Sequence, residues 1–300
     1  MKRDLILNID INKTYSPFSW QGGKRRLLNE LSTFYPKKFN NFYEPFVGGM
    51  SILLNLIEIF GKNVVNKAFL NDINSDLIQM YKIMKLYPFS FLYHYKNFKD
   101  NNDIKNFNEL RSLFNKKILC EVSQSSLLFF LLHGCFNGLS GWNSKNELAA
   151  TKGFDQSDFY INNFFKFSQS IPNLKNFTNL SFQDFFKKYK IKKDDLIYFD
   201  PPYVPINKHL KQTRYYGKEF DETMQLELFD LFKKFDKKGA FVIHSNSYCD
   251  FNLNLYRNFQ INIVKCKRNM CSLVSARNEV NEIIVIGNTL KEHLENGKRY

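Results

Sequence analysis

The sequence is poor in the features that mark a secreted or membrane-bound chain. Its 300 residues include only 5 cysteines, Cys120, Cys135, Cys249, Cys266 and Cys271, with no Cys-x-x-Cys pair. An odd, scattered set excludes a disulfide framework and offers no zinc spacing, so the thiols read as reduced. No run approaches the ~20 uninterrupted apolar residues of a membrane helix. Met1–Asn12 carries charges but no apolar segment ending at a small-residue cleavage site, which argues against secretion and for the cytoplasm. Internal repeats and Pro/Gly/Ser linkers are missing. No Gly-x-Gly-x-x-Gly run occurs, which removes the dinucleotide fingerprint. The five histidines, His94, His133, His209, His244 and His293, show no metal spacing, and His133 and His244 sit in apolar runs as core residues.

Acidic residues are scarce too: 29 Asp+Glu face 43 Lys+Arg, a net charge of +14. Such an excess points to a polyanionic partner, although an Asn-, Lys- and Phe-rich composition produces it as well. What the chain has in quantity is apolar material, 44% hydrophobic with 32 Phe and 16 Tyr. That fills one large core or two modest ones and excludes global disorder.

Two blocks of strand–helix alternation flank a polar stretch, Lys96–Lys117. In the first, residues 42–46 read as a strand, Met50–Phe60 as a helix, Lys67–Asn71 as a strand and Ser75–Leu86 as a helix. A short helix, Arg25–Leu31, precedes them. In the second, Leu196–Phe199 is a buried-type strand and Glu222–Phe235 an amphipathic helix. Ala240–Ile243, Gln260–Val264 and Glu282–Gly287 are further strands. This order predicts an α/β fold with a mainly parallel sheet covered on both faces. Between the blocks, Pro88–Gln156 reads as an inserted helical subdomain, with helices near Phe107–Ile118 and Ser125–His133. The expected division is 1–87 and 157–300 as two parts of one domain, interrupted by 88–156.

Two constellations carry chemistry. Glu44-Pro45-Phe46-Val47-Gly48-Gly49 is a strand-to-helix turn whose glycines admit a ligand close to the backbone. Asp72 ends the next strand, the usual position for an acceptor of ribose hydroxyls. Gly-Gly after a strand is also an ordinary tight turn, and Met50 stands where a third small residue is expected. Upstream, Trp20-Gln21-Gly22-Gly23-Lys24 offers a ring for a base and a cation for a carboxylate, or a hydrophobic staple for the helix that follows.

The more specific run is Asp200-Pro201-Pro202-Tyr203, at the end of the strand Leu196–Phe199. Two prolines remove two donors and stiffen the backbone, leaving a carboxylate and carbonyls as acceptors where open α/β sheets bind ligands. A rigid acceptor pair beside an aromatic face suits a planar substrate with an exocyclic NH2. Asp200 and the Pro201 carbonyl take its two N–H bonds while Tyr203 stacks on the ring. Accepting both hydrogens frees a delocalised lone pair for an electrophile, which is positioning and electrostatics more than base catalysis. A capped strand end with a Pro-Pro turn is the structural alternative.

In these residues the chain resembles the Dam-like (D12 class, α motif order) DNA adenine-N6 methyltransferases, from roughly Ser16 to Gly287. Trp20–Lys24 matches the family's W-x-G-G-K, Glu44–Gly49 its E-P-F-x-G-x-G turn, Asp72-Ile73-Asn74 its D-I-N and Asp200–Tyr203 its D-P-P-Y. The resemblance implies an S-adenosylmethionine-dependent methyltransferase with a Rossmann-like sheet and an inserted target-recognition domain. It implies S-adenosylmethionine held by Trp20, Lys24, Asp72 and Asp200, with Glu44, Phe46 and Gly48 on the cofactor side, and no metal. Flipped adenine is held by Asp200, Pro201, Pro202 and Tyr203.

Cys135–Asn143 resembles the family's Y-N-G-L-x-R-x-N recognition hairpin, which assigns Phe136, Asn137, Leu139 and Asn143 to DNA. Lys267, Arg268 and Arg277 fall in a segment, Lys265–Asn281, similar to the family's C-terminal DNA-contacting stretch. Gly141 stands where GATC-methylating members carry a base-reading arginine, so the resemblance does not extend to a GATC target; Arg111 and Lys145 are the substitutes at hand. Duplex DNA is the implied partner of a monomer or weak dimer, with any restriction endonuclease acting separately. By position, Thr213–Tyr216 fills the space an extruded base leaves or clamps phosphates, and Asn246 lies near the site. The competing readings are methylation of cytosine N4, RNA adenine or a glutamine side chain, and a DNA-binding protein without catalysis.

Overall fold

The computed structural model describes residues 14–18, 20, 22–100, 104–136, 141–153, 161–205, 214–216, 218–267 and 279–297. In chain order its elements begin α1 (Leu28–Ser32), β1 (Phe42–Glu44), α2 (Ser51–Phe60), α3 (Asn63–Asn66) and β2 (Ala68–Asn71). A helical run follows: α4 (Ser75–Leu86), α5 (Pro88–Lys99), α6 (Ile104–Lys116), α7 (Glu121–Gly134) and α8 (Ile161–Ser170). Then come β3 (Phe177–Thr178), α9 (Phe182–Lys188), β4 (Leu196–Phe199), β5 (Arg214–Tyr215) and β6 (Lys218–Glu219). The last elements are α10 (Glu222–Lys237), β7 (Phe241–Ser247), α11 (Asp250–Leu255), β8 (Gln260–Lys267), β9 (Glu279–Ile286) and α12 (Asn288–Asn296). They group into two compact units.

One unit, Lys24–Val47, Lys67–Asn71 and Leu180–Tyr300, holds six strands of the main sheet in the order β2-β1-β4-β7-β9-β8. The first four run parallel, with Phe42 opposite both Ala68 and Leu196, and Leu196 opposite Phe241. Strand β9 is antiparallel to β7 and to β8, so the α/β expectation holds and the parallel sheet ends in an antiparallel edge. Strands buried on both faces need no alternation, which is why Leu196-Ile197-Tyr198-Phe199 is apolar throughout. Tyr43, Phe185, Phe199, Leu228, Phe232, Val242 and Val285 form the core with the α9 and α10 faces. Between β1 and β4 the strand order reverses, the place where an open parallel sheet leaves a crevice at its carboxyl ends.

Strand β7 runs four residues past the expected Ile243. His244, Ser245, Asn246 and Ser247 are all buried, and their polarity conceals a strand. Ser245 and Ser247 find partners, since Tyr198 Oη donates to Ser245 Oγ at 2.9 Å and Asn252 Nδ2 donates to the Ser247 carbonyl at 2.8 Å, whereas His244 Nδ1 is buried without one among the described residues. Strands β8 and β9 are likewise longer than expected, because they pair as a ribbon out to Lys267 opposite Glu279.

The other unit, Met1–Gly23, Gly48–Asn66 and Asp72–Asn179, is mainly helical. Phe129 of α7 is its hub, meeting Phe18, Phe91, Tyr95 and Phe164 at ring-centroid distances of 5.1–6.2 Å. Helix α5, which the sequence reading left unnamed, opens with Pro88 in its first turn, where the missing N–H costs nothing. Helix α4 matches its expected bounds and is capped by Asn74, whose side chain accepts from Leu77 N at 3.1 Å.

Candidate active site

Strand β4 delivers Asp200 to the carboxyl edge of the parallel sheet. Lys24 lies in a short turn of 3-10 helix, Lys24–Arg26, and is only 5% exposed; its Nζ is 2.8 Å from Asp200 Oδ1. The same ammonium stands 4.6 Å from the centroid of the Tyr203 ring, within cation–π range. Tyr203 Oη donates to Glu282 Oε2 at 2.8 Å. Burial pushes the Asp200 carboxyl up to about 6, with the Lys24 ammonium acting against it and the Glu282 carboxylate adding to it. Burial, then Asp200 and Glu282, push the Tyr203 hydroxyl well above its ordinary value, so it remains a protonated donor.

The loop after Asp200 is pinned from below. Gln225 Nε2 donates to the Pro202 carbonyl at 3.0 Å, and Gln225 Oε1 accepts from Asn246 Nδ2 at 3.2 Å. Asn246 Oδ1 accepts from Val204 N at 3.1 Å, and Ser247 Oγ donates to the Val204 carbonyl at 2.6 Å. Asn246 thus lies beside the motif as its place at the strand end implied. No described residue donates to the Pro201 carbonyl. Burial, helped by Lys24, drives the His244 imidazole down to about 3, so it is a neutral core residue, and burial takes His133 down to about 4. In this unit Glu44 is buried, and Phe46 forms an aromatic trio with Phe182 and Phe220 at 5.7–5.8 Å.

In the helical unit the glycine turn is built around Asp72, which is 2% exposed. Its Oδ2 accepts from Gly48 N at 3.0 Å and its Oδ1 from Asn74 N at 2.9 Å. Gly48 has φ +43, and a Cβ there would lie 2.7 Å from Trp20 Nε1; one on Gly49 would lie 3.0 Å from Trp20 Cβ. The Trp20 indole therefore packs on this turn, which requires two glycines, and the staple reading gives way to that packing. Met50 is fully buried in a left-handed conformation, φ 61, at the N-cap of α2. A left-handed non-glycine residue costs roughly 1–2 kcal/mol, which the surrounding packing must offset.

In the segment expected to read DNA, Cys135 is bridged to Lys152 and Trp142 to Leu148. Asn143, expected at DNA, organises the tip: its Oδ1 accepts from Lys145 N and Glu147 N at 2.9 and 3.0 Å, and its Nδ2 donates to Glu147 Oε2. Arg111 donates to the Ala150 carbonyl and braces the returning arm, whereas Lys145 stands exposed at the tip. Gly141 is exposed, with open space where a side chain would project. Phe136 N donates to the Thr151 carbonyl. Arg214–Tyr215 pairs with Lys218–Glu219 as a small antiparallel ribbon. Lys267 ends β8, while Asn137, Leu139, Arg268 and Arg277 lie outside the described residues.

The family model for D12 class N6 adenine-specific DNA methyltransferases matches residues 20–270. The chain belongs to this family. Among curated relatives, the methyltransferase is 33% identical to the type II methyltransferase M1.LlaDCHI of Lactococcus lactis subsp. cremoris, over 90% of this chain and 94% of the relative. It is 32% identical to the type II methyltransferase M.MjaIII of Methanocaldococcus jannaschii, over 84% and 91%. With the DNA adenine methylase of Haemophilus influenzae it shares 31% identity, over 91% and 93%. A DNA methyltransferase of this family takes DNA as substrate and S-adenosylmethionine as methyl donor.

Reading the sequence missed two residues that hold the Asp200–Tyr203 segment, Gln225 and Glu282. The signal for Glu282 was available: a carboxylate at the head of the apolar run Ile283–Ile286 is an unusual residue to carry into a buried strand. Glu282→Ala would remove the hydrogen bond from the Tyr203 hydroxyl to a charged acceptor and so loosen the ring, and kcat should fall about tenfold with little change in DNA affinity. Glu282→Gln keeps an acceptor but removes a charge that raises the Asp200 pKa. Its kcat should stay near wild type while the acid limb of the pH–rate profile moves to lower pH.

Proposed function

We propose that this chain methylates adenine N6 at a specific sequence in double-stranded DNA, with the target base flipped into the Asp200–Tyr203 site. The observation that carries this reading is the geometry at the end of β4: the Asp200 carboxylate lies 2.8 Å from the buried Lys24 ammonium, which also stands over the Tyr203 ring. Base extrusion costs a few kcal/mol, because N6 is out of reach within the stack. Lys24 stands over the Tyr203 ring, and the flipped base stacks on that tyrosine. Asp200 and the Pro201 carbonyl then accept the two N6 hydrogens and localise the nitrogen lone pair. When bound, S-adenosylmethionine supplies an electrophilic methyl group on a sulfonium; the N6 proton is released to water.

The glycine turn fits a nucleoside cofactor. Asp72 is oriented by two main-chain N–H groups at the end of β2, the position that suits a ribose, while the Trp20 indole offers a purine-sized face. Lys24, Glu44, Phe46, Gly48 and Asp200 complete the proposed cofactor residues. Segment 88–156 is the proposed target-recognition region, flanked by 1–87 and 157–300. Phe136, Asn137, Leu139 and Asn143 face DNA within it, Asn143 by shaping the hairpin tip. Lys267, Arg268 and Arg277 hold phosphates, which makes binding steeply salt-dependent. The type II names of two relatives support a restriction–modification setting with a separate nuclease.

Tritium transfer from labelled S-adenosylmethionine to duplex DNA, followed by nucleoside chromatography, tests the reading. Label in N6-methyladenine supports it; label in cytosine, RNA or protein alone sinks it. Because Asp200 accepts its N6 hydrogen most strongly as the carboxylate, the single-turnover rate should rise with pH through about 6 and level off above. A rate that falls as pH climbs through that range would reverse the assigned role of the carboxylate.

A further inference from the structure

The two tryptophans of this chain, Trp20 and Trp142, meet each other. Their ring centroids are 5.8 Å apart with planes inclined at 47°. Trp20 packs on the Gly48–Gly49 turn, whose first N–H is held by Asp72. Trp142 belongs to the recognition hairpin, one residue after the position that reads a base in GATC-methylating members. It is only 9% exposed, and its Nε1 donates to Asp76 Oδ2 at 3.4 Å. Asp76 lies in the first turn of α4, the helix that Asn74 caps directly after Asp72. It also pairs with Lys117 at 2.7 Å, which ties it to the end of α6. A hairpin that has only to present a tip to DNA does not need an indole buried in this way.

We infer that Trp142 couples the recognition hairpin to the cofactor turn, so that cofactor and DNA each strengthen the binding of the other through the Trp20–Trp142 contact. The inference rests on the proposed cofactor role of Trp20. A ligand ring laid against Trp20 fixes the indole, the fixed indole fixes Trp142, and the base of the hairpin is ordered before DNA arrives. Linkage requires the reverse effect to be equal: DNA that holds the hairpin tightens the cofactor turn by the same factor. Trp142 is thus a positioning residue, remote from the reacting atoms.

Equilibrium binding of radiolabelled S-adenosylhomocysteine, with and without saturating plasmid DNA, tests the coupling without turnover. Plasmid DNA offers every short sequence, so no knowledge of the target is needed. Wild-type protein should bind the probe at least about five-fold more tightly when DNA is present. Trp142→Phe should bind it within about two-fold of wild type without DNA, and lose the enhancement by DNA. Asp76→Ala, which removes the anchor of the indole N–H, should behave in the same way. Retained enhancement in Trp142→Phe, or none in wild type, overturns the coupling. Failure of the cofactor role looks different: Trp20→Phe would then bind the probe as well as wild type does in the absence of DNA. Thermal melting of each variant separates lost coupling from lost fold.

Discussion

Asp200→Asn is expected to lower kcat by about 10²–10³-fold, with nonspecific DNA binding held within about two-fold of wild type. Asparagine keeps the shape of the side chain and one acceptor, but it places an NH2 against a substrate NH2. It also removes the carboxylate that faces Lys24 at 2.8 Å, so a buried ammonium loses its counter-charge. The effect should therefore appear in single-turnover methyl transfer, measured above the acid limb, and not in filter binding at fixed salt. Nonspecific DNA binding is in general dominated by phosphate contacts. Tyr203→Ala should follow the same pattern, since it removes the stacking face. Equal loss of transfer and binding in both variants would mean that the motif shapes the fold and does not act on the base.

Asp72→Ala should have the second-largest effect, on cofactor affinity. The carboxylate accepts from the N–H groups of both Gly48 and Asn74, and each donor left buried without an acceptor costs about 1–3 kcal/mol. The turn loosens and the proposed ribose acceptor is lost together. Affinity for S-adenosylhomocysteine should fall at least about 100-fold and Tm by several degrees, with DNA binding in the absence of cofactor preserved. A lower Tm with unchanged affinity would make Asp72 a brace for the turn and nothing more.

The legible parts of this protein were those in which local sequence and burial agree. Leu196–Phe199 and Ser75–Leu86 fall within the bounds that apolar runs and a capping Asn74 imply. Asp200–Tyr203 was legible because two prolines after a buried strand leave few alternatives. The carboxyl half of β7 was not, since Ser245–Ser247 read as polar until Tyr198, Gln225 and Asn252 are seen to pair with them. Nor was the internal role of Asn143, because its partners lie in the turn that it creates. Trp20 was legible as a residue of interest but not in its packing. A ring on a glycine turn some 28 positions later leaves no periodic trace in the sequence. The net charge of +14 had two explanations from composition alone; membership of a DNA methyltransferase family supplies the polyanion.

Single-molecule sequencing of DNA from cells expressing this chain tests adenine-N6 transfer most directly, because it reports the modified base and its context together. The expected result is N6-methyladenine confined to one short sequence context, and absent when Asp200→Asn is expressed in place of the wild-type chain. Methylated cytosine, or unmodified DNA from cells in which the folded wild-type protein is abundant, would contradict it.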